Sequence, residues 1–334
     1  MTLFVARISN EHSSLPISEL KAIIDAEPID MRLVDRLDEY IVLEGSIDGL
    51  KVLMSRSALV KEYGLLIAIT SIDNVALLKE IVQMYNRCID IEYLRGFRVP
   101  HNVLKLLSGF RCWSKRKECN KVLKLAIVGG VMIIYELMAK RHLSEYNNRE
   151  PHKRPAYRPG TMKPLLARAY VNLARLSSLR KELLLDPFCG VAGFALEACS
   201  MGLRCICIDI DSRMVRGAHI NVYGYKCEYS VELIEGDATM VPLRSLSVDG
   251  IATDPPYGRQ SVPQGYTLSK LLVKFIDRAQ EVLKPNRYMV FAVPLNLDEP
   301  ITNKLERSGF EVVEKHLDWV HGALTRVIYV VRYA

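Results

Sequence analysis

Hydrophobic positions fall in short, unevenly spaced runs through the first 140 residues and in regularly spaced runs beyond residue 180. Leu3–Ile8 and Tyr40–Glu44 are rich in branched and aromatic residues and predict strands. Ser18 ahead of Leu20, Ile23 and Ile24, with Glu19 in the first turn, predicts an N-capped amphipathic helix. A second round follows, with a strand over Gly64–Thr70 and a helix over Asn74–Met84. The apolar run Leu125–Ala139 holds Gly129, Gly130 and Glu136 and is shorter than the roughly 20 residues a membrane-spanning helix requires. It predicts two buried strands around a glycine turn. Beyond residue 180, runs at Glu182–Leu185, Cys205–Asp209, Val231–Glu235, Gly250–Thr253 and Met289–Val293 alternate with helical segments, the pattern of a doubly wound parallel sheet. Glu311–Trp319 and Thr325–Val331 have no helix between them and predict an antiparallel edge hairpin. The fold class is therefore α/β, with an α+β region ahead of it.

Pro151-His152-Lys153-Arg154-Pro155-Ala156-Tyr157-Arg158-Pro159-Gly160 interrupts both patterns and reads as an ordered, basic connection. The expected division is residues 1–150, a linker at 151–160, and a second domain over 161–334. With 334 residues, 49% hydrophobic and 25% charged, the chain has the composition of a globular protein with two cores and not of a disordered or fibrous one. The net charge of +7 is unevenly placed. Residues 1–94 carry −6, residues 95–168 carry +13 and residues 169–334 are neutral. So concentrated an excess points to a polyanion, and nucleic acid is the expected partner. Lys115, Arg116, Lys117, Lys153 and Arg154 are the candidate phosphate contacts.

None of the eight cysteines is spaced as Cys-x-x-Cys and the histidines show no ligand spacing, so no metal is expected. Reduced cysteines, the lack of a signal peptide and the lack of a membrane span predict a cytoplasmic protein.

Ligands in doubly wound sheets bind at the carboxyl ends of the strands. The first run is followed there by Asp186-Pro187-Phe188-Cys189-Gly190-Val191-Ala192-Gly193, a carboxylate and a small-residue turn into a helix. The second ends in Asp209, placed to take both hydroxyls of a ribose. The third is followed by Gly236-Asp237 and the fourth by Asp254-Pro255-Pro256-Tyr257, where two prolines fix a carboxylate, a carbonyl and a tyrosine on one rim. A nicotinamide enzyme lacks support because Gly-x-Gly-x-x-Gly is absent.

This ordered series resembles the class I S-adenosylmethionine-dependent methyltransferases of exocyclic base amines. His152-Lys153-Arg154-Pro155, Arg158-Pro159-Gly160-Thr161-Met162 and Val320-His321-Gly322-Ala323-Leu324-Thr325-Arg326 resemble, more narrowly, the THUMP-domain tRNA (guanine-N2) methyltransferases acting at position 10. The resemblance implies a Rossmann-like C-terminal domain behind a ferredoxin-like and THUMP region. It implies tRNA as partner and S-adenosylmethionine as cofactor, held by Thr161, Asp186, Gly190, Gly193, Asp209 and Asp237. It leaves open whether one or two methyl groups are added and whether a small activating subunit is needed. Asp254 and the Pro255 carbonyl then accept the two N–H hydrogens of the amine, and Tyr257 stacks on the extruded base. His321 and Arg326 are further candidates for substrate contact. Ala192 stands where the family usually has a second glycine, a departure that is tolerable if the residue keeps φ negative. Cys189 reads as packing, because pyrimidine-carbon methylation places its cysteine where this chain has Tyr257. Two alternatives remain: an amino methyltransferase of rRNA guanine or of DNA adenine or cytosine, and a non-catalytic RNA-binding protein.

Overall fold

The computed structural model describes residues 2–85, 88–93, 101–108, 122–257, 267–322 and 324–334. In chain order the elements are β1 (Thr2–Ile8), α1 (Leu15–Ala26), β2 (Met31–Leu37), β3 (Tyr40–Gly45), α2 (Ile47–Arg56), β4 (Val60–Ser71), α3 (Val75–Tyr85), β5 (Cys88–Tyr93), α4 (His101–Ser108), β6 (Val122–Val128) and β7 (Val131–Lys140). Then follow α5 (Leu143–Asn148), α6 (Pro164–Leu173), β8 (Leu183–Asp186), α7 (Gly193–Ser200), β9 (Arg204–Asp209), α8 (Ser212–Gly224), β10 (Val231–Glu235), β11 (Val248–Ala252), α9 (Leu268–Val282), β12 (Leu283–Pro294), α10 (Asp298–Arg307), β13 (Phe310–His321) and β14 (Leu324–Tyr333).

Contacts divide the chain into two compact units. The first, residues 1–11, 29–54 and 60–141, is built on one sheet ordered β2-β3-β1-β4-β7-β6-β5. All its pairs are antiparallel except β5 with β6. The expected strands at Leu3, Tyr40 and Gly64 and the helix after Asn74 are present. The turn at Gly129 and Gly130 joins β6 to β7, both glycines having positive φ, the backbone a tight hairpin requires. Residues 115–117 lie outside the described residues.

The second unit comprises residues 12–28, 55–59 and 142–334. Helix α1 belongs to it because its buried carboxylates are bound there. Glu19 accepts the N–H groups of Ala58 and Leu59 at 2.9 and 2.8 Å and the Asn172 amide at 2.7 Å, while Arg56 donates to Glu27 at 2.5 Å and to the Leu176 carbonyl at 2.6 Å. Ser18 does not cap α1. The helix begins one turn earlier at Leu15-Pro16, a proline being well suited to a first turn, and Ser18 is buried within it.

The sheet of this unit runs β10-β9-β8-β11-β12-β14-β13, parallel from β10 to β12, with β14 antiparallel between β12 and β13. The two strands of the expected hairpin thus close one edge. Chain order reverses between β8 and β11, so Asp186 and the segment after Ala252 emerge side by side at the carboxyl edge. All five residues of β11 are buried, as a central strand covered on both faces must be. One core cluster includes Tyr170, Leu196 and Val290, and a second includes Leu272, Phe275 and Phe291.

Cys199 and Cys227 are joined in a disulfide, with Cα atoms 5.9 Å apart, which corrects the expectation that all cysteines are reduced. The end of α7 meets the turn after α8, and a 28-residue separation gives no motif by which to see it. Cys189, Cys205 and Cys207 are free and buried. No helix among the described residues is long and apolar enough to cross a membrane.

Candidate active site

A cavity of about 490 Å³ opens at the carboxyl edge where β8 and β11 part. Its size is that of a small-molecule pocket. Thr161, Gly190, Gly193, Asp209, Asp237, Asp254, Pro255 and Tyr257 all line it, so the structure brings together residues spread over almost a hundred positions.

Asp186, the last residue of β8, is fully buried just ahead of the turn that lines the cavity. Thr253, the residue after β11, donates its hydroxyl to Asp186 Oδ1 at 2.7 Å, tying the neighbouring strands together above their last pair. Asp186 Oδ2 is buried without a hydrogen-bond partner, and burial lifts the carboxyl to about 7. The turn that follows has Gly190 at φ +53, in the left-handed region that glycine enters without strain. Its N–H donates to Asp209 Oδ2 at 2.8 Å, while the Asp211 N–H donates to Oδ1 at 2.9 Å. Each oxygen keeps further acceptor capacity. Burial raises the Asp209 carboxyl, and the two N–H bonds oppose that rise. Asp237 accepts the Thr239 N–H through Oδ1 at 2.8 Å. Thr161 donates its hydroxyl to the Arg158 carbonyl at 2.8 Å, fixing its turn at the mouth.

Ala192 is the N-cap of α7 and has φ +68, so the condition of a negative φ is not met. The turn demands the left-handed conformation whichever residue fills it. That costs an alanine about 1–2 kcal/mol. Glycine there forfeits a buried methyl group worth about 0.8 kcal/mol and about 0.5–1 kcal/mol of backbone entropy, so the terms nearly cancel. Ala192→Gly is expected to change stability by less than about 1 kcal/mol, whereas Ala195→Gly in α7, with no strain to relieve, costs about 1.3–1.8 kcal/mol. Thermal unfolding of the two variants checks the difference.

Asp254 lies at the end of a charged chain. Arg326 Nη1 donates to both its oxygens, at 3.1 and 3.2 Å, and Arg326 Nε donates to Asp318 Oδ2 at 2.7 Å. The Tyr257 hydroxyl donates to Asp254 Oδ1. Burial raises the Asp254 carboxyl and Arg326 opposes it. Burial would lower the Arg326 guanidinium, but the surrounding phenols and Asp254 keep it strongly basic. The buried Tyr170 hydroxyl, beside this group, has no hydrogen-bond partner. Sequence reading placed Arg326 at an RNA contact and passed over Asp318 and Tyr170. Asp318 faces Arg326 directly across the β13–β14 pair, a register visible only once the hairpin is formed.

Arg154, expected on the RNA surface, is 4% exposed and donates through Nε to the Arg149 carbonyl at 2.8 Å, whereas Lys153 is exposed. Burial of its side chain overrides what its basic neighbours suggest. His321 ends β13, and its side chain lies outside the described residues. A hydrogen bond with Cys207 and burial push the Cys189 thiol well up, against any nucleophilic part for it. Among the described residues no group of His, Cys, Asp and Glu is arranged to hold a metal ion.

Residues 151–328 match UPF0020, the RMKL-like methyltransferase domain. The tRNA (guanine(10)-N2)-dimethyltransferase of Methanothermobacter thermautotrophicus is 30% identical over 97% of both chains. Among solved structures, TrmN from Thermus thermophilus superposes with a TM-score of 0.58 at 19% identity, covering 99% of this chain and all of that one. SMU.472, solved in complex with SAH, gives 0.54 at 13% identity over 98% and 97%. The two structures share the fold. The chain belongs to the UPF0020 family of RMKL-like methyltransferases, as a class I S-adenosylmethionine-dependent member of its tRNA guanine-N2 methyltransferase branch.

Proposed function

We propose that the chain methylates the exocyclic N2 amine of guanosine 10 in tRNA, once or twice, and that residues 1–150 contain the ferredoxin-like and THUMP-like region that grips the tRNA. The observation that carries the reading is Asp254, an ion-paired carboxylate on the rim of the cavity, beside the Pro255 carbonyl. The near-full-length archaeal relative named for this position supports the site assignment.

The residues fit S-adenosylmethionine. Asp209 offers two oxygens to ribose hydroxyls, Asp237 has a free oxygen for an adenine amine, and the unpartnered Asp186 Oδ2 suits an ammonium group. Bound there, the donor supplies an electrophilic methyl group on a sulfonium. The guanine amine is a poor nucleophile because its lone pair is delocalised into the ring. Asp254 and the Pro255 carbonyl accept its two hydrogens, localise the lone pair and aim it at the methyl group. Asp254 would then take the amine proton as the C–N bond forms and the methyl carbon–sulfur bond breaks, the donor leaving as a neutral thioether. About four acceptor positions exist on a carboxylate, so those held by Tyr257 and Arg326 leave one for the amine. Lys153 and His321, with Lys115, Arg116 and Lys117, are assigned to RNA contact.

Labelled S-adenosylmethionine with tRNA transcripts, one unaltered and one with guanine 10 replaced, tests the reading. Label in the unaltered transcript alone is expected. Label in both removes position 10, and label in neither removes tRNA in favour of another nucleic acid.

The Asp186 carboxyl gives a pH dependence. Its raised position means that below about pH 7 the free site holds a proton, which an incoming ammonium expels. Donor affinity is expected to fall about tenfold per unit as pH drops below 7, with one proton released on binding. Calorimetry in buffers of different ionisation enthalpy measures that proton, and Asp186→Asn removes it.

A further inference from the structure

One polar group beside Asp254 is left over. Tyr170 of α6 is fully buried, and among the described residues its hydroxyl has no hydrogen-bond partner. An enclosed hydroxyl without a partner weakens a fold, and phenylalanine fills the same space without that cost. The Tyr170 ring packs on Phe194, with centroids 5.6 Å apart, and Phe194 lines the cavity. Tyr257 rests against the core cluster to which Tyr170 belongs. The charges acting on the Tyr170 phenol are those of Arg326, Asp254 and Asp318, and burial keeps it protonated, hence able to donate. The phenol that does hold Asp254 stands in the way of the substrate. Tyr257 donates to Asp254 Oδ1 and its hydroxyl lies 3.4 Å from Arg326 Nη1, so the tip of its ring occupies the carboxylate that the guanine amine must reach.

We propose that Tyr170 is a positioning residue, whose hydroxyl takes the place on Asp254 that Tyr257 gives up when it turns to stack on the extruded base. The inference rests on the reading of Asp254 as the acceptor of the amine. One phenol replaces another, so Asp254 keeps the same number of donors and one position for the amine. The bond forms only with the base in place, where it serves the rate and not the resting fold. Besides the two phenols, Asp254 faces Arg326 from β14, Asp318 from β13 and Asp186 from β8, and of these only Arg326 favours its ionised form. A second donor is therefore needed whenever Tyr257 is away.

Tyr170→Phe tests the exchange. In the free protein it is expected to raise the melting temperature or leave it within about 2 °C, and to leave S-adenosylhomocysteine affinity within about twofold, because no bond is lost. In single turnovers with saturating tRNA it is expected to slow transfer about tenfold and to move the acid limb of the pH–rate profile upward, because Asp254 lacks a donor while the base is bound. Added to Asp254→Ala it is expected to cost nothing more, whereas a packing defect would add its own loss. A rate and an acid limb both unmoved overturn the proposal. So does a loss that adds in full to that of Asp254→Ala, and so does a melting temperature lowered beyond that margin, which marks a hydroxyl already bonded in the free protein. Near-normal turnover in Asp254→Ala itself overturns the reading of Asp254 instead, whatever Tyr170→Phe does.

Discussion

Asp254→Ala is expected to lower the single-turnover rate of methyl transfer by about 10³- to 10⁴-fold while S-adenosylhomocysteine affinity stays within about threefold. The split follows from where Asp254 stands. It lines the cavity after β11, whereas the groups assigned to the donor follow β8, β9 and β10. In the proposed mechanism its loss removes the acceptor for the amine hydrogen and the proton's destination together and leaves ground-state binding of the donor untouched. The fold survives because Arg326, the charge left behind, keeps its 2.7 Å bond to Asp318. Asp254→Asn keeps one acceptor oxygen but cannot take the proton, and is expected to fall between. Turnover near that of the unaltered protein in Asp254→Ala would falsify the mechanism.

The sequence made the catalytic half legible because a parallel sheet buries both faces of its strands, leaving apolar runs whose next residues are the ligand-facing ones. That rule singles out Asp186, Asp209, Asp237 and Asp254 as candidates, the resemblance supplies their roles, and all but Asp186 line the cavity itself. What escaped depends on contacts distant in sequence. Helix α1 looks like part of the small first unit until Glu19 and Arg56 are seen bonded to Asn172, more than a hundred residues on. Arg154 sits in a basic stretch, and local charge cannot reveal that one cation of three points inward. Ala192 was judged by its side chain, whereas the turn between β8 and α7 fixes its φ. The same holds for the disulfide, whose cysteines meet only after α7 and α8 pack.

Arg326 carries the second large effect. Arg326→Gln is expected to slow transfer about 10²-fold near neutral pH and to move the acid limb of the pH–rate profile upward. Burial raises the Asp254 carboxyl and Arg326 holds it down, so without the guanidinium the carboxyl protonates at higher pH. In the proposed mechanism the active form of Asp254 is ionised, hence activity is expected above its pKa and lost as pH falls through it. Raising that pKa withdraws activity from the acid side first. A residue that merely touched tRNA phosphate would lower the rate equally at every pH and steepen no limb. Arg326→Lys restores the charge but cannot span Asp254 and Asp318 with one planar fork, so the limb should return toward its original place while the rate recovers only in part. An acid limb unmoved in Arg326→Gln, measured in single turnovers with saturating tRNA, removes Arg326 from control of Asp254 and leaves it a structural ion pair of the β13–β14 hairpin.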